Sequence, residues 1–278
     1  MPWVAGHLTG GLGNRLFQHA AAAGLAEKWG HTLVFSLPNM SPTNHGPFDS
    51  IFKLFPSVPV VTEEASQYMI PEPNGHVFTY SAFQDIPIAQ NCVVDGWRQT
   101  ERYFPRTGVH AALETVVSKE RQADLRNKYD LEGKELQTFF LHIRLGDYKI
   151  LPHHQIDLGT YLRKASQQVP PGTRFLVFSD EAAAHKQMFE DLVRKLGHSP
   201  VVVEETDELE TLFLMSQCWG GAIVANSTFS WWGAYFARQR CPDPSSYKAF
   251  YPTVWGAGLP PARDVIPYWG IGISPSEN

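Results

Sequence analysis

"WVAGHLTGGLGNRLFQHAAAAGLAEKWGHTLVFSL", residues 3–37, decides the fold class. "WVAGHL" reads as a short strand and "GGLG" as a tight turn. "NRLFQHAAAAGLAEKWG" then reads as a helix: Leu16, Ala20, Ala23 and Ala26 or Glu27 mark one face, and Gly30 ends it. "TLVFSL" is a second strand. A strand, loop, helix and strand in this order open an α/β domain.

Working outward, residues 38–73 are rich in Pro, Asn and Ser and read as an irregular surface excursion. "NCVVDGW" (91–97) is a further strand, and "WRQTERYFPRTGVHAALETVV" (97–117) a loop leading into a helix. In "RNKYDLEGKE" (126–135) the apolar pattern gives way to charge, which places a domain boundary there: 1–133 and 134–278. The rhythm then restarts. "LQTFFLHI", "TRFLVFS", "PVVVEE" and "GAIVAN" read as strands. "LGTYLRKASQQV", "EAAAHKQMFEDLVRKLG", "DELETLFLMSQC" and "STFSWWGAYFARQ" read as the helices between and after them. Such alternation predicts a parallel sheet covered on both faces.

Bulk composition bounds the function. A chain of 278 residues with 43% hydrophobic and 18% charged residues can bury a full core and is not disordered. The formal charge is −5 and no Lys/Arg run occurs, so a nucleic-acid partner is not expected. Cys92, Cys218 and Cys241 are far apart and odd in number, which fits a reducing, cytoplasmic setting. No run approaches membrane-spanning length, which leaves only a peripheral association through partners.

In parallel sheets ligands bind beyond the carboxyl ends of the strands, and four of those loops carry chemistry. In "TGGLGNRLFQ" (9–18), Gly11 and Gly13 open a helix in the way an anion favours, with Asn14 and Arg15 following. A dinucleotide fingerprint fits poorly, because Leu16 takes the third glycine position and Ser36 ends the next strand without a nearby acid. "HIRLGDY" (142–148) brings His142, Arg144 and Asp147 off a strand end. Arg144 offers a planar fork suited to phosphate, while an Arg144–Asp147 ion pair is the plainer reading. "VFSDE" ends on Ser179 and Asp180, which N-cap the next helix on the plainer reading. "ANSTFSWWGAYF" (225–236) gathers Asn226, Ser227, Thr228 and Ser230 at a strand-to-helix junction, enough donors for a second phosphate contact. Neither a D-x-D pair, a zinc-type His/Cys cluster nor a G-x-S-x-G elbow occurs. Charge on a bound phosphate then falls to Arg144 and to helix termini.

"GGLGNRLFQ", "HIRLGDY" and "NSTFSWWGAYF", in this order, resemble the signature blocks of the α-1,2-fucosyltransferases, glycosyltransferase family 11. "GWRQTERYF", "VFSDE", "ELETLFLMSQC" and "FYPTVWGAGLPPARDVIPYWGIG" extend the likeness from about residue 7 to 272. The resemblance implies a GT-B-type fold, two Rossmann-like domains facing a cleft, with the acceptor on the N-terminal side and GDP-fucose on the C-terminal one. It implies inverting, metal-independent transfer of fucose to the 2-hydroxyl of a galactose-containing glycan, with no cofactor beyond the donor. Arg144 is then expected to hold the β-phosphate and His142 to lie against the nucleotide. Thr228, Phe229 and Ser230 line the diphosphate and guanine, with Asn226 and Ser227 just upstream. Gly11 and Asn14 approach the reacting centre. Leu145 stands where the family block often has a second arginine, and Thr211 where an aspartate often reads guanine; Glu210 and Asp207 are the nearest acids. Asp147 is the leading candidate for a base, ahead of His153 and His154, and transfer can also proceed with little base help. Two alternatives stay open: another nucleotide sugar as donor, or a binding protein without turnover.

Overall fold

The computed structural model describes residues 1–42, 46–73 and 78–277, and it divides into two compact units. The first comprises Met1–Val116 and Arg263–Pro267; the second comprises Val117–Ala262 and Tyr268–Asn278. The division thus falls at Val116–Val117 rather than at 133–134. The reason lies in helix α4 (Lys119–Lys128), which ties itself to the second unit by charge. Arg121 Nη2 lies 2.9 Å from Glu205 and 2.7 Å from Glu210, and Lys128 pairs with Glu205.

In the first unit, β1 (Trp3–Gly6) is followed by α1 (Leu12–Trp29). Gly30 closes α1 in the left-handed conformation, with its N–H donating to Ala26 and Glu27. The "TLVFSL" strand is broken in two. β2 (Thr32–Leu33) pairs with β1, whereas β3 (Phe35–Ser36) pairs with β4 (Val60–Val61). The stretch expected to be an irregular excursion holds structure: α2 (Asp49–Leu54), β4 and β5 (Gln67–Ile70). Residues 43–45 and 74–77, within or just beyond that stretch, lie outside the described residues. β5 completes a parallel sheet of order β2-β1-β6-β5, with β6 (Asn91–Val94) next to β1. β5 was hidden from its sequence because it is an edge strand of only four residues, two of them exposed. Helix α3 (Leu113–Val116) ends the main body of this unit.

The second unit follows the expected alternation: β7 (Thr138–Ile143), α5 (Leu158–Ser166), β8 (Arg174–Ser179), α6 (Ala182–Lys195), β9 (Ser199–Val202), α7 (Glu208–Ser216), β10 (Gly221–Ile223) and α8 (Thr228–Arg240). Two further strands, β11 (Lys248–Pro252) and β12 (Ile271–Ile273), lie beyond the predicted set. The sheet is wholly parallel in the order β12-β11-β10-β7-β8-β9. Renumbered from β7, that is the doubly wound order 3-2-1-4-5-6 of a Rossmann sheet. β7 is buried along its whole length, as a central strand covered on both faces must be. Its Leu141 and Ile143 pack with Phe175, Val177, Tyr161 and Ile223 in one apolar cluster. The α/β expectation of two Rossmann-like units therefore holds for each unit. Among the described residues no helix is long and apolar enough to cross a membrane.

Candidate active site

The order of the second sheet reverses between β7 and β10, whose carboxyl ends lie side by side. Strand order changes leave a crevice at that point, and ligands of such sheets sit there. The residues leaving the two strands are Arg144 and its followers, and the 224–230 segment.

Arg144 is about a quarter exposed and held between two carboxylates. Its Nη2 is 2.8 Å from Asp147 Oδ1, and its Nε is 3.3 Å from Asp180 Oδ2. Asp180 does not cap α6, whose N-cap position is Glu181. It accepts instead from the Leu145 N–H at 3.0 Å, which fixes the loop that carries Arg144. That approach requires glycine next door, because a Cβ on Gly146 would lie 2.2 Å from Asp180 Oδ2. Tyr148 continues the assembly. Its ring stacks on His154 at 4.7 Å, the Arg144 guanidinium carbon lies 5.6 Å from the same ring, and its hydroxyl donates to the Asn226 carbonyl at 2.9 Å. Burial pushes the Tyr148 hydroxyl up to about 12, so it stays a donor at any working pH.

Asn226 uses its side-chain amide as a strut, donating to the carbonyls of His154 at 2.7 Å and Trp255 at 2.9 Å. The expected donor set of the 226–230 segment is therefore narrowed at its first member. Ser227 stands at the N-cap of α8, yet its side chain makes no capping bond. The contrast within the same unit is direct: Asp157 caps α5, Asp207 caps α7 and Ser118 caps α4. Ser230 turns its hydroxyl back to the Ser227 carbonyl at 3.2 Å. The first turn of α8, beginning at Thr228, thus faces the switch point without a capping side chain, as an anion-binding terminus does. Trp231 and Trp232 are fully buried among Tyr235, Phe236 and Trp269, which makes them core.

His142, the last but one residue of β7, is 5% exposed, and its Nδ1 has no hydrogen-bond partner. Phe229 lies against it with ring centroids 6.5 Å apart. Burial, with Arg144 nearby adding to it, lowers its pKa to about 3. It is consequently a neutral ring with one unused polar atom beside the switch point. His19, buried on α1 against Phe35 and Phe55, is lowered to about 3 by burial as well. Both stay neutral in the fold and charge on unfolding, so stability is complete above pH 6.5 and falls as pH drops from there towards 3. The expected slope is about 1.4 kcal/mol per pH unit for each ring. Replacing His19 by Phe should lower the proton uptake on unfolding between pH 6 and 4 by about one proton, read from melting or urea midpoints across that range. An unchanged pH dependence would refute the assignment.

The acids nearest Thr211 are engaged. Asp207 accepts from Leu209 and Glu210 N–H at 2.9 Å, and Glu210 holds Arg121. Of the remaining candidates, Gly11, Gly13 and Asn14 belong to the first unit, where Gly11 is the N-cap of α1 and no acid occupies its first turn. Asn14 Oδ1 accepts from Gln99 at 3.0 Å. Tyr148, and Asp180 in its clamping role, escape a sequence reading; the one signal for Tyr148 is its place four residues after Arg144.

The second unit thus presents a doubly wound sheet with Arg144 and the N-terminus of α8 at its switch point. The Glycosyl transferase family 11 model matches residues 73–241, and the chain belongs to that family: it is a glycosyltransferase. It is similar to two Escherichia coli proteins. The O-antigen biosynthesis glycosyltransferase WbnK is 35% identical over 109 residues, covering 35% of this chain and 34% of that protein, so the match spans about a third of each. An alpha-1,2-colitosyltransferase is 26% identical over 277 residues, covering 84% and 88%. Among solved structures it resembles the fucosyltransferase NodZ from Bradyrhizobium, at 16% identity and a TM-score of 0.49 over 87% of this chain and 94% of that one. NodZ alpha-1,6-fucosyltransferase co-crystallized with GDP matches at 15% identity and the same TM-score.

Proposed function

We propose that the protein transfers L-fucose from GDP-β-L-fucose to the 2-hydroxyl of a galactoside, with inversion and without a metal ion. The observation that carries the donor half is Arg144 leaving β7 beside the uncapped first turn of α8. A fork of N–H groups and a helix N-terminus are complementary to a diphosphate, and both stabilise the charge that grows on it as GDP departs. His142 supports the reading as a neutral, unpartnered polar atom at the same place, suited to a ribose or phosphate oxygen. In this proposal Thr228, Phe229 and Ser230 line the diphosphate and base, and Gly11, Gly13 and Asn14 serve the acceptor side. The relative named for colitose favours one second reading, in which the donor carries a different sugar on the same nucleotide.

The test is incubation with GDP-fucose and lactose in excess EDTA, with the product linkage read by NMR. The expected result is GDP release and an α-1,2-fucosyl product. Activity confined to another GDP-sugar would install the second reading. Transfer that EDTA abolishes and added Mg²⁺ restores would remove metal independence.

A further inference from the structure

Arg144 stands at the end of β7 with one edge of its guanidinium already taken. A guanidinium is a rigid fork of N–H donors that meets an oxyanion in pairs, side-on through Nε and Nη2 or end-on through Nη1 and Nη2. Here the side is closed. Nε lies 3.2 Å from Asp147 Oδ1 and 3.3 Å from Asp180 Oδ2, and Nη2 lies 2.8 Å from the same Asp147 oxygen. Nη1 makes no hydrogen bond or ion pair among the described residues. A phosphate that takes two donors from Arg144 must therefore take them end-on.

The two carboxylates differ in what they hold. Asp147 touches Nη2, which an end-on phosphate also uses, so it stands in the ligand's way. Asp180 touches Nε, which no end-on ligand uses. Its place follows from strand register: Ile143 of β7 pairs with Ser179 of β8, so the residues leaving the two strands run side by side. Asp180 Oδ1 accepts from the Leu145 N–H at 3.0 Å and from the Ser179 hydroxyl at 3.4 Å, while Oδ2 is turned to Arg144. The Leu145 side chain packs against the apolar cluster of β7 and β8, which ties down the other side of the same loop.

Leu145 carries no charge, and Lys149, the next cation along the loop, is paired with Glu181. The charge that this loop offers an anion is thus that of Arg144, and its aim matters accordingly. A second carboxylate beside a bound diphosphate is electrostatically unfavourable. Only a gain in geometry offsets it.

We infer that Asp180 is a positioning residue for the donor: it holds Arg144 by its Nε side, so that the arginine takes the β-phosphate end-on through Nη1 and Nη2. The inference rests on the donor reading above and concerns the second unit alone. Its signature lies in the terminal phosphate. A residue that merely stabilises the loop changes GDP and GMP binding alike, whereas one that aims Arg144 at the β-phosphate changes the difference between them.

The experiment measures GDP and GMP affinity by calorimetry for the unaltered protein, Asp180→Asn, Arg144→Ala and the double variant. Asparagine keeps an oxygen for the Leu145 N–H but turns its amide N–H₂ towards the Arg144 Nε–H, so it separates the two ties. The expected result is a fall in GDP affinity of about 5–20-fold with GMP affinity held within about 2-fold. In the Arg144→Ala background the same substitution should no longer weaken GDP binding, and removing a carboxylate left without its cation should strengthen it. Asp180→Ser, shorter and neutral, repeats the measurement should the asparagine variant fail to fold. Equal losses for GDP and GMP, no loss for either, or a loss that persists in full without Arg144 each overturn the inference while leaving the donor reading intact. Unaltered protein that binds neither nucleotide, or binds GDP no better than GMP, overturns both.

Discussion

Alanine at position 144 is expected to abolish transfer and to weaken GDP binding by about 10–100-fold in calorimetry. Removing a single donor from a developing oxyanion typically costs about 10²–10³-fold in turnover, and Arg144 does more than a single donor. It neutralises Asp147 and Asp180, which stand 2.8 and 3.3 Å from it. Without it, two carboxylates would face the incoming diphosphate, so the loss in kcat/KM should exceed about 10³-fold. Lysine restores one charge but not the fork, and cannot meet both aspartates and a phosphate in the same geometry; it should recover only part of the loss. GDP affinity unchanged in Arg144→Ala would remove the phosphate assignment. Asp147→Asn separates two roles for that residue. If Asp147 competes with phosphate for Arg144, GDP binds more tightly to the variant and turnover survives. If Asp147 is the base, turnover falls and binding does not improve.

A large structural effect is expected at Gly24, in the middle of α1. A Cβ there would lie 1.9 Å from the Tyr103 carbonyl oxygen and 3.0 Å from two further backbone carbons. Backbone cannot rotate aside as a long side chain can, so Gly24→Ala must push α1 off the 101–103 turn. Overpacking a core costs typically 1–3 kcal/mol and sometimes more; an overlap this deep with main chain should cost at least about 3 kcal/mol. The displacement would also spread, because the Tyr103 hydroxyl receives the Ser81 N–H at 2.9 Å and lies 3.4 Å from Arg98. Gly30→Ala is the control. Nothing lies within 4 Å of its Cβ, and only the positive φ of 66° is strained, which costs about 1–2 kcal/mol. Urea midpoints should rank the two variants clearly. Equal shifts would mean that α1 has room at Gly24.

The parallel α/β character of both units was legible because buried strands and amphipathic helices write their periods locally. So was the candidate donor site, because His142 near the end of β7, Arg144 and Asp147 just beyond it, and the 226–230 segment after β10 lie at the carboxyl ends of strands that topology makes neighbours. What stayed hidden depends on contacts between distant residues or on very short elements. β12 has three residues, and β11 ends in a proline, so neither carries a readable alternation. Asp180 looks like an N-cap until its bond to the Leu145 N–H, 35 residues away, is seen. His7, Ser41 and Asp95 are 34 and 88 residues apart, and no local pattern marks them as neighbours. The N-terminus of α8 looked over-supplied with caps in sequence, yet the side chain at its N-cap, Ser227, makes no capping bond. Capping depends on side-chain rotamers that residue types do not fix.

The return of residues 263–267 to the first unit has a bearing on how the chain is made. Asp264 accepts the Tyr80 N–H at 2.7 Å and binds Arg102 at 3.2 Å, so the first unit holds a piece of itself that lies near the far end of the sequence. A ribosome releasing this chain from its N-terminus can let the second unit close on its own sheet as β7 to β11 emerge. The first unit, although synthesised earlier, stays short of its last strut until residue 267 has cleared the exit tunnel. Both units are therefore completed only by the end of the chain, the first by residues 263–267 and the second by β12. Deletions confined to the last twenty or so residues should loosen the segment around Tyr80 as well as the end they remove.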